Sequence, residues 1–146
     1  MSRIAQRRVL DEPARRRLSD AAARLFSHHP AIVAAYLYGS AARHEPARDL
    51  DVAVLVDGPM EPQRFEMLAA VLEREGAPFG PDVDLRPLTG AAPRFQIAVL
   101  REGELLYERD RRTRLQHEAA IMSRWADFRP TWDAMRRRML ERWSRG

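Results

Sequence analysis

Three groups of residues in this sequence have types and spacings suited to chemistry: Gly39-Ser40, the pair Asp49-Leu50-Asp51, and a further acid at Asp82 or Asp84. The apolar run Ala31 to Tyr38 ends in the Gly-Ser turn, eight residues follow, and a second apolar run, Leu50 to Val56, opens on the two acids. Residues two apart in a strand point to the same face, so Asp49 and Asp51 are expected side by side at a strand's start. Two adjacent carboxylates repel unless they are protonated or neutralised by a cation, and their hard oxygens suit Mg²⁺. A glycine turn with free N–H groups is a place for a phosphate. A metal beside a phosphate cradle points to chemistry on a nucleoside triphosphate.

The elements that must position these residues follow from periodicity and punctuation. Asp11 can cap a helix with Pro13 in its first turn, and Leu18, Ala22, Leu25 and Phe26 recur at helical spacing. Pro30 disfavours helix at His29, so this helix should stop near His28. Residues 1–10 are basic and expected to fray. The runs 31–38 and 50–56 are apolar on two faces, as covered central strands should be. Gly58-Pro59 breaks the chain. Phe65, Leu68, Ala69 and Leu72 mark a second amphipathic helix closed by Gly76. A turn region from Gly76 to Pro81 leads to a third strand at Val83-Asp84-Leu85. Ala92 to Leu100 is read as helix, and Glu104 to Tyr107 as a short edge strand. From Asp110 onward the pattern is helical, with Leu115, Ala119 and Met122 on one stripe and Trp132, Met135 and Met139 on another. Pro130 is expected to separate two helices there. The fold class is α+β: a small mixed sheet flanked by helices, with a core at residues 12–108 and a helical extension at 109–146.

The totals are consistent with one domain. The 146 residues are 45% hydrophobic and 32% charged, ordinary for a globular chain. The absence of cysteine excludes disulfides, thiolate zinc sites and a cysteine nucleophile. The longest apolar stretch is too short to span a bilayer, and the charged N-terminus lacks the apolar core of a signal peptide. A cytoplasmic protein without a membrane partner is expected. The formal net charge is +4, and all 25 basic residues are arginine. This is either a codon bias of a GC-rich genome or an arginine-rich surface for phosphate or an acidic partner. The four histidines are not spaced as a ligand set. Arg15-Arg16-Arg17 and Arg136-Arg137-Arg138 are read as solvated helix faces, the alternative being a role in holding an acidic partner or RNA.

Taken together, the residues resemble the DNA polymerase β-like nucleotidyltransferase superfamily, and more closely its minimal, MNT-type members. Those carry a Gly-Ser motif, a short loop, an Asp-x-Asp pair and a later third acid on another strand. Here these are Gly39-Ser40, Asp49-Leu50-Asp51 and Asp84. Asp82 and Asp84 share a face under strand geometry, so spacing does not choose between them; Asp84 matches the family position. The segments 99–110 and 125–130 are similar to the subgroup of antitoxins paired with HEPN-domain toxins, and the resemblance covers roughly residues 12–140. Relatives often have about ten residues between the two motifs where this chain has eight, and His44 replaces the glycine that usually follows the loop arginine, which removes backbone freedom.

The resemblance implies the nucleotidyltransferase fold and the following roles. Asp49 and Asp51 would hold two Mg²⁺ ions about 3.5–4 Å apart, which stabilise attacking and leaving oxygens. Asp84 would bind the catalytic ion and help deprotonate the acceptor. Gly39 and Ser40 would contact the β- and γ-phosphates, and Arg43, with its planar fork, is the candidate for the triphosphate. The activity implied is transfer of AMP from ATP to a hydroxyl, a tyrosine in particular, of a HEPN ribonuclease toxin. Two alternatives are a non-catalytic toxin-binding module and a small-molecule, aminoglycoside-type nucleotidyltransferase. Direct binding of nucleic acid is not expected.

Overall fold

The computed structural model describes residues 7–76 and 82–146. Helix α1 (Glu12–Phe26) is followed by strands β1 (Ile32–Tyr38) and β2 (Leu50–Val56), helix α2 (Pro62–Gly76), strand β3 (Val83–Pro87), helix α3 (Pro93–Glu102), strand β4 (Glu104–Glu108) and helix α4 (Arg111–Arg145). The strands form one mixed sheet in the order β3-β2-β1-β4, with β2–β3 parallel and the other two pairs antiparallel. This is the expected α+β class, with β4 on an edge as anticipated. The expected turn over Gly76 to Pro81 lies largely outside the described residues.

Alternation along the central strands divides the core into two layers. Leu50, Val52, Val54 and Val56 of β2 pack on one face with Leu18, Ala22 and Phe26 of α1 and Leu68 and Leu72 of α2. Ala53 and Leu55 point the other way, into a cluster with Tyr36, Val99 of α3 and Ile121 of α4. Because both faces of β1 and β2 are covered, their side chains are apolar almost without interruption. The first β2 residue whose side chain is both polar and on the α3/α4 face is Asp51, at the end where that cover thins.

Local signals set most boundaries. The Asp11 side chain accepts a hydrogen bond from the Ala14 N–H at 2.9 Å, and Pro13 sits in the first turn of α1. Asp110 caps α4 by accepting from the Thr113 N–H at 2.7 Å.

Three expectations are corrected. Of the segment 1–10 expected to fray, residues 1–6 lie outside the described residues, and residues 7–10 are held: Leu10 is buried, and Arg8 exchanges backbone hydrogen bonds of 3.0 and 2.9 Å with Ala47, anchoring the loop between β1 and β2. Arg15 is not on a solvated face. It is 4% exposed, its Nε donates to the Leu10 carbonyl at 3.1 Å, and its other nitrogens reach the Ala41 carbonyl and the Glu104 carboxylate. It belongs to the inner face of α1, whereas Arg16 and Arg17 are exposed. Third, Pro130 does not divide two helices; α4 runs through it without a break. A proline removes one N–H and so leaves the carbonyl four residues back without its partner. Here that carbonyl belongs to Ala126, and both residues are exposed, so water can replace the lost bond on the solvent side.

Arg15 therefore ties α1, β4 and the start of the loop after Ser40 into one unit. Arg15→Leu should lower stability by about 2–4 kcal/mol, since it leaves two buried carbonyls without a donor. Arg16→Leu, at an exposed position, should stay within about 0.5 kcal/mol. Urea unfolding of the two variants checks both values.

Candidate active site

The strand register assembles the acids. Asp51 lies opposite Tyr38 on β1 and opposite Asp84 on β3, so the three side chains stand in a row on the α3/α4 face of the sheet. Asp82 precedes β3; its carbonyl accepts from the Leu50 N–H at 3.0 Å and its side chain is exposed. The alternation that left Asp82 and Asp84 equivalent is resolved by register: Asp84 is Asp51's neighbour. Asp49, two residues before Asp51, is exposed just ahead of the strand.

Gly39 turns the chain away from β1 in the left-handed region, at φ 75°. A Cβ at that position would lie 2.6 Å from Oδ2 of Asp51, far inside contact distance. Glycine is thus required twice, for the dihedral and for the carboxylate that fills its missing side chain's place. Ser40 is half-buried behind it, and its carbonyl accepts from the Glu45 N–H at 3.0 Å. His44, where relatives of this type often have glycine, also takes a positive φ of 59°. The loop keeps its left-handed turn without the residue that adopts it most easily. Arg43 is exposed, with Nε 3.3 Å from the Glu45 carboxylate.

The electrostatics of the row are those of crowded anions. Burial first, then the carboxylates of Asp84 and Asp49, push the Asp51 carboxyl above the usual aspartate range, with Arg86 pulling the other way. Arg86, two residues beyond Asp84, donates to Oδ2 of Asp84 at 2.9 Å. Burial and then Asp51 hold the Tyr38 phenol up at about 12, so it stays a neutral hydrogen-bond donor at neutral pH; its ring packs edge-on against Phe95 at 5.4 Å. Tyr38 and Arg86 were not singled out from the sequence. The signal available for both was alternation, since each lies two residues from a position already marked: Tyr38 from Ser40, Arg86 from Asp84.

Among the described residues no three Asp, Glu or His side chains converge tightly enough to hold an ion as they stand. The donor chemistry nonetheless fits a divalent cation. The oxygens are hard carboxylates, they are adjacent by register, and Asp51 carries the strain of uncompensated like charge that such a cation relieves. Arg86 supplies positive charge to Asp84 instead. A cavity of about 630 Å³ lies along the outer side of β3, lined mostly by apolar residues of α2 and the β2–α2 turn, with Asp84 among its walls.

Two outcomes follow. Gly39→Ala should destabilise the protein by about 1–3 kcal/mol through strain at positive φ and contact with Asp51, as read from urea unfolding. Asp51→Asn should raise the melting temperature at pH 7 with metal chelated. The raised carboxyl means that the protonated form is the one the fold prefers. That preference is fully present below the ordinary value of 3.8 and is lost as pH rises through the higher folded value. The gain from Asn should therefore vanish near pH 3, and melting curves across pH 3–8 measure it.

The fold has known counterparts. The polymerase beta nucleotidyltransferase family profile matches residues 21–112. No curated protein shows significant similarity. Among solved structures the chain is similar to a toxin–antitoxin crystallised with AMP-PNP, at TM-score 0.70 and 21% identity over 84% of this chain and 98% of that one. It is also similar to a complex of tri-AMPylated Shewanella oneidensis HEPN toxin with MNT antitoxin, at TM-score 0.69 and 20% identity over 86% and 98%. A structure described as a minimal nucleotidyltransferase shares 30% identity at TM-score 0.54 over 66% of this chain and 95% of that one. The first two likenesses show a common fold; the profile covers well over half the chain and includes Gly39, Ser40 and all three aspartates. The chain belongs to the polymerase β nucleotidyltransferase family.

Proposed function

We propose that this protein is an antitoxin-type adenylyltransferase that moves AMP from ATP to a hydroxyl, a tyrosine in particular, of a HEPN-domain toxin and so neutralises it. The observation that carries the reading is the row Tyr38–Asp51–Asp84 set against the Gly39 turn. The solved relatives give it context, since one holds an ATP analogue and another an AMPylated toxin.

In this reading Asp49, Asp51 and Asp84 would hold Mg²⁺, which would supply charge neutralisation at the attacking and leaving oxygens. The Gly39 turn and the Ser40 hydroxyl receive the β- and γ-phosphates. Arg43 leaves Glu45 for a phosphate oxygen, a stronger and better-shaped partner for its planar fork. The acceptor hydroxyl attacks the α-phosphorus, the bond from that phosphorus to the bridging oxygen breaks, and pyrophosphate departs. Asp84 takes the acceptor's proton. Arg86, exposed and hydrogen-bonded to Asp84, would be available to the triphosphate once its bond to Asp84 is given up. Tyr38 keeps its proton and orients the Asp51 carboxylate.

A second reading, neutralisation by binding alone, draws on the Arg86–Asp84 and Arg43–Glu45 ion pairs, which occupy groups that catalysis would need. One experiment separates the two. The chain is co-expressed with the protein encoded beside it, and that partner's intact mass is recorded. Wild type should add one or more AMP groups, and Asp49→Asn/Asp51→Asn should reduce transfer roughly 10³-fold or more. An unmodified partner that co-purifies equally with both forms would establish binding alone.

A further inference from the structure

Helix α4 outruns the body on which it packs. At about 100° per residue, Ile121, Trp125, Phe128 and Trp132 fall within one arc of about 60°. That arc faces inward: Ile121 is buried in the cluster with Ala53 and Leu55, the three aromatic residues are half-buried, and Arg94 of α3 lies 4.5 Å over the Trp132 ring. Met135, Met139 and Trp143 continue this stripe, widening it to about 80°, yet they are 47%, 51% and 78% exposed. Every residue from Met135 to Gly146 is exposed. One apolar stripe is thus covered over its first half and bare over its second, for about 12 Å from Met135 to Trp143.

The charges around the bare half are ordered. Arg136 lies about 60° to one side of Met139 and Arg142 about 60° to the other, whereas Asp133 and Glu141 fall on the far half of the helix. Asp133 additionally faces Arg129 at 3.9 Å. A second copy of this helix laid on the stripe would bring these arginines against their equals, which like-charge repulsion disfavours. An apolar ridge with acids on both flanks would complement it in hydrophobicity and in charge.

We propose that the distal half of α4, around Met135, Met139 and Trp143, docks an amphipathic helix of the partner protein whose apolar ridge is flanked on both sides by Asp or Glu. The stripe is continuous with the one that packs on the Ala53–Leu55 face, the face to which Asp51 and Asp84 project. A partner held there is held on the side of the sheet that bears the carboxylates. That the partner is a HEPN-domain protein rests on the function proposed above; the acidic, amphipathic character of the docking element does not.

The test is calorimetric binding of the full chain to the protein encoded beside it, with ATP omitted so that no modification intervenes. Met135→Glu/Met139→Glu should weaken binding about 100-fold and Arg136→Glu/Arg142→Glu about 10-fold, the latter difference shrinking as salt rises. Circular dichroism of both variants should match wild type, since glutamate is a good helix former at exposed positions. Dissociation constants within twofold of wild type for both variants would overturn the proposal, as would a wild-type chain that does not bind this protein. So would a concentration-dependent dimer of the chain alone that Met135→Glu/Met139→Glu abolishes, which would assign the stripe to a second copy. Binding to anionic vesicles, lost in the same variant while partner binding persists, would assign it to a membrane surface. Transfer of AMP is read separately by mass: its absence alongside the expected loss of affinity would remove the enzymatic reading and leave the docking surface standing.

Discussion

The site depends on how closely the Asp51 carboxylate approaches the backbone of Gly39. The carboxylate occupies the volume that any other side chain at position 39 would fill. That contact fixes the turn after β1 against the start of β2, and with it the distance between the Gly39-Ser40 turn and the acids beside it. The covered faces of β1 and β2, the tether of Arg8 to Ala47 and the reach of Arg15 to the Ala41 carbonyl all hold this one approach in place.

Charge is the other side of the same constraint. Asp51, Asp84 and Asp49 are close enough that burial and mutual repulsion raise the first of them, and the fold bears that strain rather than dispersing the acids. Arg86 offsets part of it through Asp84. Since Arg86 is exposed while Asp51 and Asp84 are half-buried, the guanidinium can leave at little cost, whereas these two acids are held by strand register.

Several features could be read from residues alone because they are local. Asp11 and Asp110 cap helices whatever packs on them, and the alternation and apolar runs of β1 and β2 place the strands within a residue or two. Other features depend on contacts remote in sequence. Arg15 looks like Arg16 and Arg17 until α1 turns it towards Glu104, 89 residues away. Pro130 reads as a break until α4 places its lost hydrogen bond on the solvent side. Tyr38 and Arg86 look like ordinary strand residues until pairing sets them beside the acids.

By itself the sequence determined the motifs, the strand that carries Asp51 and the family they resemble, since these rest on spacing along one chain. The tertiary structure decided which acid joins Asp51: Asp82 and Asp84 are equivalent under strand alternation, and only the parallel pairing of β3 with β2 sets Asp84 opposite Asp51. It also decided which half of the α4 stripe is core and which is surface. Periodicity gives a helix its apolar face, but only the length of the body against which it lies determines where that face runs out of cover.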